Sequence, residues 1–211
     1  MEKTNRKLFI KGSLISSSFA LMFNSAYANK PTPKEIEGPF YPLQAQKDKD
    51  FDLTIIKGHN KRAEGKVVTI EGQILDTHGN PIENSTVDLW QANSFGKYRH
   101  PHDSSKAALD PNFQGWAIVQ SGKNGFFRFK TIIPGTYPVS NDWTRPPHIH
   151  FKVSKKGYIE VITQMYFPNN KLNKVDLLLN RKKPQERVLM IATNVKNKPN
   201  TLNYNIILDK A

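Results

Sequence analysis

Apolar positions along this chain come in short runs rich in Val, Ile, Thr and aromatic residues, each set off by polar stretches. The runs fall at 67–75, 86–90, 116–119, 126–132, 148–153, 159–167, 188–192 and 202–208. Runs of that length and composition predict β-strands. Turn signals stand between them at His78-Gly79-Asn80-Pro81, Lys123-Asn124-Gly125 and Pro134-Gly135, so residues 73–89 read as strand, turn, strand. Many short strands with turns between them predict an all-β fold, a β-sandwich over residues 66–211. Residues 172–179 predict one short helix. Residues 29–65, rich in Lys, Pro and Asp and without periodicity, predict an extended N-terminal arm wrapping over that domain. No internal repeat or low-complexity segment interrupts the pattern.

The apolar stretch at 14–23 has a different character. It follows Lys3, Arg6, Lys7 and Lys11 and ends at Ala26-Tyr27-Ala28, a small-x-small cleavage site, so residues 1–28 read as a signal peptide. It falls short of the roughly 20 residues a membrane span needs, and no stable membrane insertion is expected after cleavage. The string Arg6 to Lys11, RKLFIK, resembles the twin-arginine pattern RRxFLK with Lys7 in the second arginine position. The protein is therefore expected to be exported, periplasmic or secreted, by a Sec or twin-arginine-like signal.

Composition narrows the chemistry. With 37% hydrophobic and 10% aromatic residues, 211 residues suffice for one domain with a real core. The absence of cysteine excludes disulfide frameworks, thiolate metal sites and thiol nucleophiles, and leaves mainly N and O ligands for any metal. The net charge is +13; removing residues 1–28 leaves 27 basic and 17 acidic residues, or +10. Such a charge suits anionic small molecules, nucleic acid or anionic membranes. The densest basic run, Arg181-Lys182-Lys183, has no aromatic residue interleaved to stack on bases, so nucleic acid is not an expected partner.

Nucleophile-elbow, P-loop, dinucleotide-binding and H-E-x-x-H signatures are missing. What stands out is Arg145-Pro146-Pro147-His148-Ile149-His150-Phe151. In a strand, residues two apart share a face, so His148 and His150 can converge on one ion while Ile149 faces away, and the two prolines stiffen the approach. His100 and His102 form a second H-x-H around Pro101, read as surface residues in a polar loop. A copper or zinc site built from all four histidines is the rival metal reading.

Six further strings stand in order: Glu37-Gly38-Pro39-Phe40-Tyr41-Pro42, Leu89-Trp90-Gln91-Ala92-Asn93, Gly96-Lys97-Tyr98-Arg99-His100, Asp110-Pro111-Asn112-Phe113-Gln114-Gly115, Pro134-Gly135-Thr136-Tyr137-Pro138 and Thr163-Gln164-Met165-Tyr166-Phe167. With the H-x-H they resemble the intradiol ring-cleavage dioxygenases over residues 37–167, and the iron-bearing beta chain of the protocatechuate 3,4-dioxygenases more than the catechol 1,2-dioxygenases. The resemblance implies a non-haem Fe(III) held by Tyr98, Tyr137, His148 and His150. Hard phenolate donors with imidazoles suit that ion. It also implies O2 and a catechol-type substrate as reactants. Tyr137 stands at the ligand position that substrate displaces, and Arg145 at the position that stabilises charge developing on the ring. Gln164 stands where a side chain holds Arg145 or a ligand by hydrogen bonds. Pro39 and Phe40 match the segment that lines the substrate pocket. In the protocatechuate enzymes that pocket lies at the contact of two different chains, so a second chain or a homo-oligomer is a possible partner. Val139 stands where the protocatechuate-type chain carries tryptophan, which leaves the particular catechol open.

Each residue has a blander reading. Tyr98 and Tyr137 can be sandwich-edge tyrosines, Arg145 a surface partner of Asp142, and Gln164 a strand-face polar residue. Trp90 and Trp116 read as core packing and residues 110–115 as a structural loop. Because residues 72–90 also resemble the first strands of carboxypeptidase-regulatory-like and transthyretin-like sandwiches, a non-catalytic binding module is the rival from another class.

Overall fold

The computed structural model describes residues 30–44, 46 and 48–211. The expected signal peptide lies outside the described residues, among which no helix is long and apolar enough to cross a membrane.

Two sheets form a sandwich. In the first, β1 (Val67–Asp76) pairs antiparallel with β4 (Phe126–Ile132) on one edge. On the other edge it pairs parallel with β10 (Thr201–Asn203) and then β11 (Ile206–Leu208), and β9 (Thr193–Asn194) extends β10. The second sheet has the order β3 (Trp116–Gln120), β2 (Thr86–Trp90), β7 (His148–Ser154), β8 (Val161–Tyr166), antiparallel throughout. A separate two-stranded ribbon joins β5 (Tyr137–Ser140) to β6 (Trp143–Arg145).

The core lies between the sheets. Ile70, Ile74, Phe127 and Phe129 from the first meet Val87, Leu89, Ile149, Phe151 and Met165 from the second, all at most 2% exposed. Because side chains alternate along a strand, Trp90, His148, His150, Gln164 and Tyr166 point to the opposite, outer face of the second sheet. That face is buried as well. The arm, the loop after β2 and the ribbon cover it, so His148 and His150 are only 2% and 4% exposed.

The arm is held by backbone bonds to both sheets: Thr32 N to Ile207 O, Glu35 N to Ile162 O, and Leu53 N to Lys130 O, at 2.8–3.0 Å. Tyr41 adds a 2.7 Å bond from its hydroxyl to Asp88 Oδ2.

The chain differs from the sequence expectation in four places. Residues 73–89 do form strand, turn, strand, and Asp76 N reaches Asn80 O at 2.8 Å within the turn. The two strands, however, enter opposite sheets. The run at 202–208 divides at Tyr204 and Asn205, where the Tyr204 carbonyl occupies the place that a side chain at Gly72 would take. The expected helix at 172–179 is a 3-10 turn, Lys171–Lys174, followed by α1 (Leu177–Asn180), whose N-cap Asp176 accepts from Leu179 N. Most of the expected strand at 188–192 lies in α2 (Pro184–Met190): Pro184 sits in the first helical turn, and the Glu186 carboxylate accepts from Lys183 N at 2.8 Å. Those start signals outweigh the β preference of Val188.

Candidate metal centre and substrate cavity

Four side chains, expected from the sequence to be ligands, converge on the outer face of the second sheet. β7 supplies His148 and His150 from alternate positions. The Nδ1 of His148 lies 2.7 Å from the carbonyl of Pro146. A carbonyl only accepts, so Nδ1 carries the proton and the Nε2 lone pair faces the cluster. The ring of His150 stacks on Trp90, its register partner on β2, with centroids 4.8 Å apart and planes 13° from parallel. Its Nδ1 is buried and makes no hydrogen bond among the described residues.

The tyrosines arrive on two loops locked together. Asn93 Oδ1 accepts from Phe95 N and Lys97 N, closing a turn just before Tyr98, and Asp103 Oδ2 accepts from Tyr98 N at 2.7 Å. Gly96, at φ +80°, packs against the carbonyl of Thr136 where any side chain would clash. That contact brings Tyr98 beside Tyr137, rings 5.8 Å apart.

Tyr98 Oη lies 3.2 Å from His150 Nε2 and 3.5 Å from His148 Nε2, and Tyr137 Oη lies 3.5 Å from His148 Nε2. Donors bonded at about 2.0–2.1 Å to one first-row metal ion stand about 3.0–3.4 Å apart, so the spacing fits a common ion. Burial drives the phenols of Tyr98 and Tyr137 above their ordinary value, and drives His148 well below its own and His150 to about 3. Both imidazoles are therefore neutral donors at neutral pH, and the phenols ionise when a cation compensates their charge. Two anionic oxygens and two neutral nitrogens fit the Fe(III) that the family resemblance implies.

Arg145 and Gln164 stand beside this cluster, joined to two residues for which the sequence suggested no role. Arg145 Nε donates to Asp176 Oδ2 at 2.8 Å, and Nη2 donates to Gln164 Oε1 at 2.7 Å and to Tyr166 Oη at 3.0 Å. Tyr166 in turn donates toward Asp176 Oδ1 at 3.2 Å. Gln164 Nε2 binds the carbonyl of Ile36, tying the arm to the network. The carboxylate partner of Arg145 is thus Asp176 and not Asp142. The only local signal for Asp176 is its place as N-cap before three leucines. Tyr166 sits within a family-like string, and Trp90, read as packing, proves to back His150.

The cluster opens on a cavity of about 500 Å³, lined among others by Pro39, Phe40, Tyr137, Val139, Arg145 and Gln164. His150 also reaches this cavity, whereas Tyr98 is 3% exposed and packs 4.8 Å from Phe40. His100 and His102 do not join the cluster. His100 is only 9% exposed, against the expectation of a surface residue, with its Nδ1 accepting from His102 N at 3.1 Å. Among the described residues no group of three or more His, Asp or Glu gathers as a metal site, which removes the geometric basis of the four-histidine reading.

The sandwich is similar to the dioxygenase domain of a dioxygenase and carbohydrate-binding protein fusion from the cellulolytic bacterium Streptomyces sp. SirexAA-E. The TM-score is 0.65 and the identity 25%, covering 86% of this chain and 100% of that one. The fold is thus of dioxygenase class. The sequence profile of the family described as Dioxygenase matches residues 36–210, well beyond the strings at 37–167. The beta chain of protocatechuate 3,4-dioxygenase from Burkholderia cepacia is 37% identical over 149 residues, 67% of this chain and 63% of its own length. Hydroxyquinol 1,2-dioxygenase from Rhizobium sp. (strain MTP-10005) is 29% identical over 119 residues, 50% of this chain and 39% of its own. The chain belongs to the intradiol ring-cleavage dioxygenase family. It spans less than two thirds of the length of either of these two curated relatives.

Proposed function

We propose that this protein is an exported non-haem Fe(III) intradiol dioxygenase, opening a catechol-type ring between its two hydroxylated carbons with O2 to give a muconate-type diacid. The observation that carries this reading is the convergence of Tyr98, Tyr137, His148 and His150 beside a buried Arg145, next to a cavity of about 500 Å³ that Tyr137, His150 and Arg145 line. Those four residues would hold the iron, which supplies a Lewis acid that binds the catechol oxygens and draws electron density from the ring.

The chain's own groups divide the remaining work. Tyr137 lines the cavity while Tyr98 does not, so Tyr137 is the phenolate that meets the substrate and accepts a hydroxyl proton. Arg145 lines the cavity with its guanidinium already fixed by Asp176, Gln164 and Tyr166, and a preorganised cation there stabilises negative charge developing on the ring. Pro39 and Phe40 press on the ring from the arm side and keep water away from it. The reaction balances without a further reductant: one ring C–C bond breaks and both oxygen atoms of O2 end in the diacid. Residues 1–28 are proposed as the export signal, which N-terminal sequencing of the protein recovered outside the cytoplasm tests.

The decisive experiment is the visible spectrum and iron content of the purified protein, before and after catechol is added without oxygen. A tyrosinate-to-Fe(III) absorption band that shifts with catechol supports the reading. A colourless protein that takes up no iron overturns it in favour of a binding module. Full iron and full ring cleavage in Tyr137→Phe or His148→Ala would sink the assignment of the ligands.

A further inference from the structure

Asp88 is 5% exposed and takes no part in the chemistry proposed above. It stands on β2 two residues before Trp90, so both point to the outer face of the second sheet, the face of the metal ligands. Each of its carboxylate oxygens has a donor. Trp116 Nε1, from β3, reaches Oδ1 at 2.7 Å, and the Tyr41 hydroxyl, from the arm, reaches Oδ2 at 2.7 Å. Burial and the neighbouring carboxylate push the Tyr41 phenol above its ordinary value, so it keeps its proton and donates. Lys152, the register partner of Asp88 on β7, turns instead to Glu37 at 3.2 Å, with its ammonium 4.9 Å from the centre of the Tyr41 ring.

Tyr41 directly follows the cavity wall. Pro39 and Phe40 line the substrate cavity, and the Phe40 ring packs 4.8 Å from that of Tyr98. The arm is tied to the second sheet upstream at Ile36, whose carbonyl accepts from Gln164 Nε2 at 3.1 Å, and downstream at Lys49, whose carbonyl accepts from Ile118 N at 2.9 Å. Between those ties the Tyr41 hydroxyl reaches the sheet face and fixes where Pro39 and Phe40 stand. The Tyr41 ring also meets Trp90 edge-on, with centroids 4.9 Å apart and planes 87° from parallel, and Trp90 backs His150.

We infer that Tyr41 and Asp88 are positioning residues for substrate binding: their hydrogen bond pins the arm so that Pro39 and Phe40 form a fixed wall against the catechol ring. The inference rests on the proposed ring-cleavage reading, and it assigns that site two residues that do not line its cavity. A wall fixed before the ring arrives spares the cost of ordering it on binding. Loss of the pin therefore weakens binding and leaves the chemical step alone.

The test compares Tyr41→Phe with Trp116→Phe. Each takes one 2.7 Å donor from Asp88, but only the first frees the arm. On the iron-loaded proteins, one lost hydrogen bond predicts a KM for catechol about five-fold higher in Tyr41→Phe, with kcat unchanged. The dissociation constant for catechol without oxygen, read from the visible absorption band, rises by the same factor. Iron per chain stays the same, because a phenylalanine ring still meets Trp90, and Trp116→Phe keeps the unsubstituted KM. A KM in Tyr41→Phe within two-fold of the unsubstituted protein overturns the inference, and so does an equal rise in both variants, which marks a general loss of packing. If the unsubstituted protein opens no catechol ring, the ring-cleavage reading has failed by itself. The pin is then read from tryptic release of the arm, followed by mass spectrometry: faster release in Tyr41→Phe than in Trp116→Phe supports it, and equal rates overturn it.

Discussion

Arg145 and Asp176 form an ion pair, Nε to Oδ2 at 2.8 Å, with side chains only 5% and 0% exposed. Asp176 also caps α1 and receives a bond from Tyr166, so one carboxylate ties the ribbon, β8 and the helix to a single point. Removing it strands a buried guanidinium and uncaps a helix. The expected loss for Asp176→Ala is about 3–5 kcal/mol of unfolding free energy, read from urea denaturation. Tyr166→Phe keeps the pair and removes one hydroxyl, with an expected loss of about 1 kcal/mol.

Trp90 holds the ring of His150 by stacking, which is worth about 0.5–1.5 kcal/mol beyond burial. In Trp90→Leu that plane is lost and His150 turns more freely. Iron per chain, measured by elemental analysis, is expected to fall well below that of the unsubstituted protein. Trp90→Phe retains a flat partner and most of the iron.

Gly96 and Gly79 share nearly the same backbone, φ +80° and +83°, but only Gly96 faces a neighbour, the carbonyl of Thr136. The strain of placing alanine in that conformation, about 1 kcal/mol, is common to both. Gly96→Ala is expected to lose about 1–2 kcal/mol more than Gly79→Ala and to bind less iron, since Tyr98 and Tyr137 are pushed apart. Equal urea midpoints for the two variants would show that the Thr136 contact yields freely.

Asp76, 4% exposed, sits under the turn at 76–80. Burial works to raise its carboxyl pKa, but bonds from the Asn80 side chain and from the backbone N–H groups of Asn80 and His78 outweigh burial and hold it below the ordinary 3.8. A carboxyl depressed in the folded state contributes stability that is present above its unfolded pKa and is lost as pH falls through the lower folded value. Asp76→Asn is therefore expected to cost about 1–2 kcal/mol at neutral pH. The difference from the unsubstituted protein should shrink below about pH 3.8, as followed by thermal unfolding across pH.

Several elements are legible in the order of residues alone. The runs at 86–90 and 126–132 coincide with β2 and β4, because each combines β-favouring residues with sharp polar limits. The ribbon of β5 and β6 is not legible in that way. Pro138, Val139 and Ser140 are exposed and carry no alternation, and the ribbon exists through cross-strand pairing, with Tyr137 opposite Arg145. Its two most important residues face each other in a ladder that no local pattern announces. The helix at 184–190 is hidden for another reason: its apolar residues pass for a short strand until Pro184 and Glu186 are given their capping weight.

The sequence by itself determined the donor types and their local arrangement. Without cysteine no thiolate donor is available and mainly oxygen and nitrogen donors remain, and the period of two in a strand places His148 and His150 on one face whatever surrounds them. The order of its motifs also identified the family. Tertiary structure alone decided what stands behind those donors: Trp90 against His150, the arm across the outer sheet face, and Asp176 on Arg145 from 31 residues away. Periodicity acts between near neighbours and can be read in any one strand, whereas these contacts exist only once separate layers have packed and each buried polar group has found its partner.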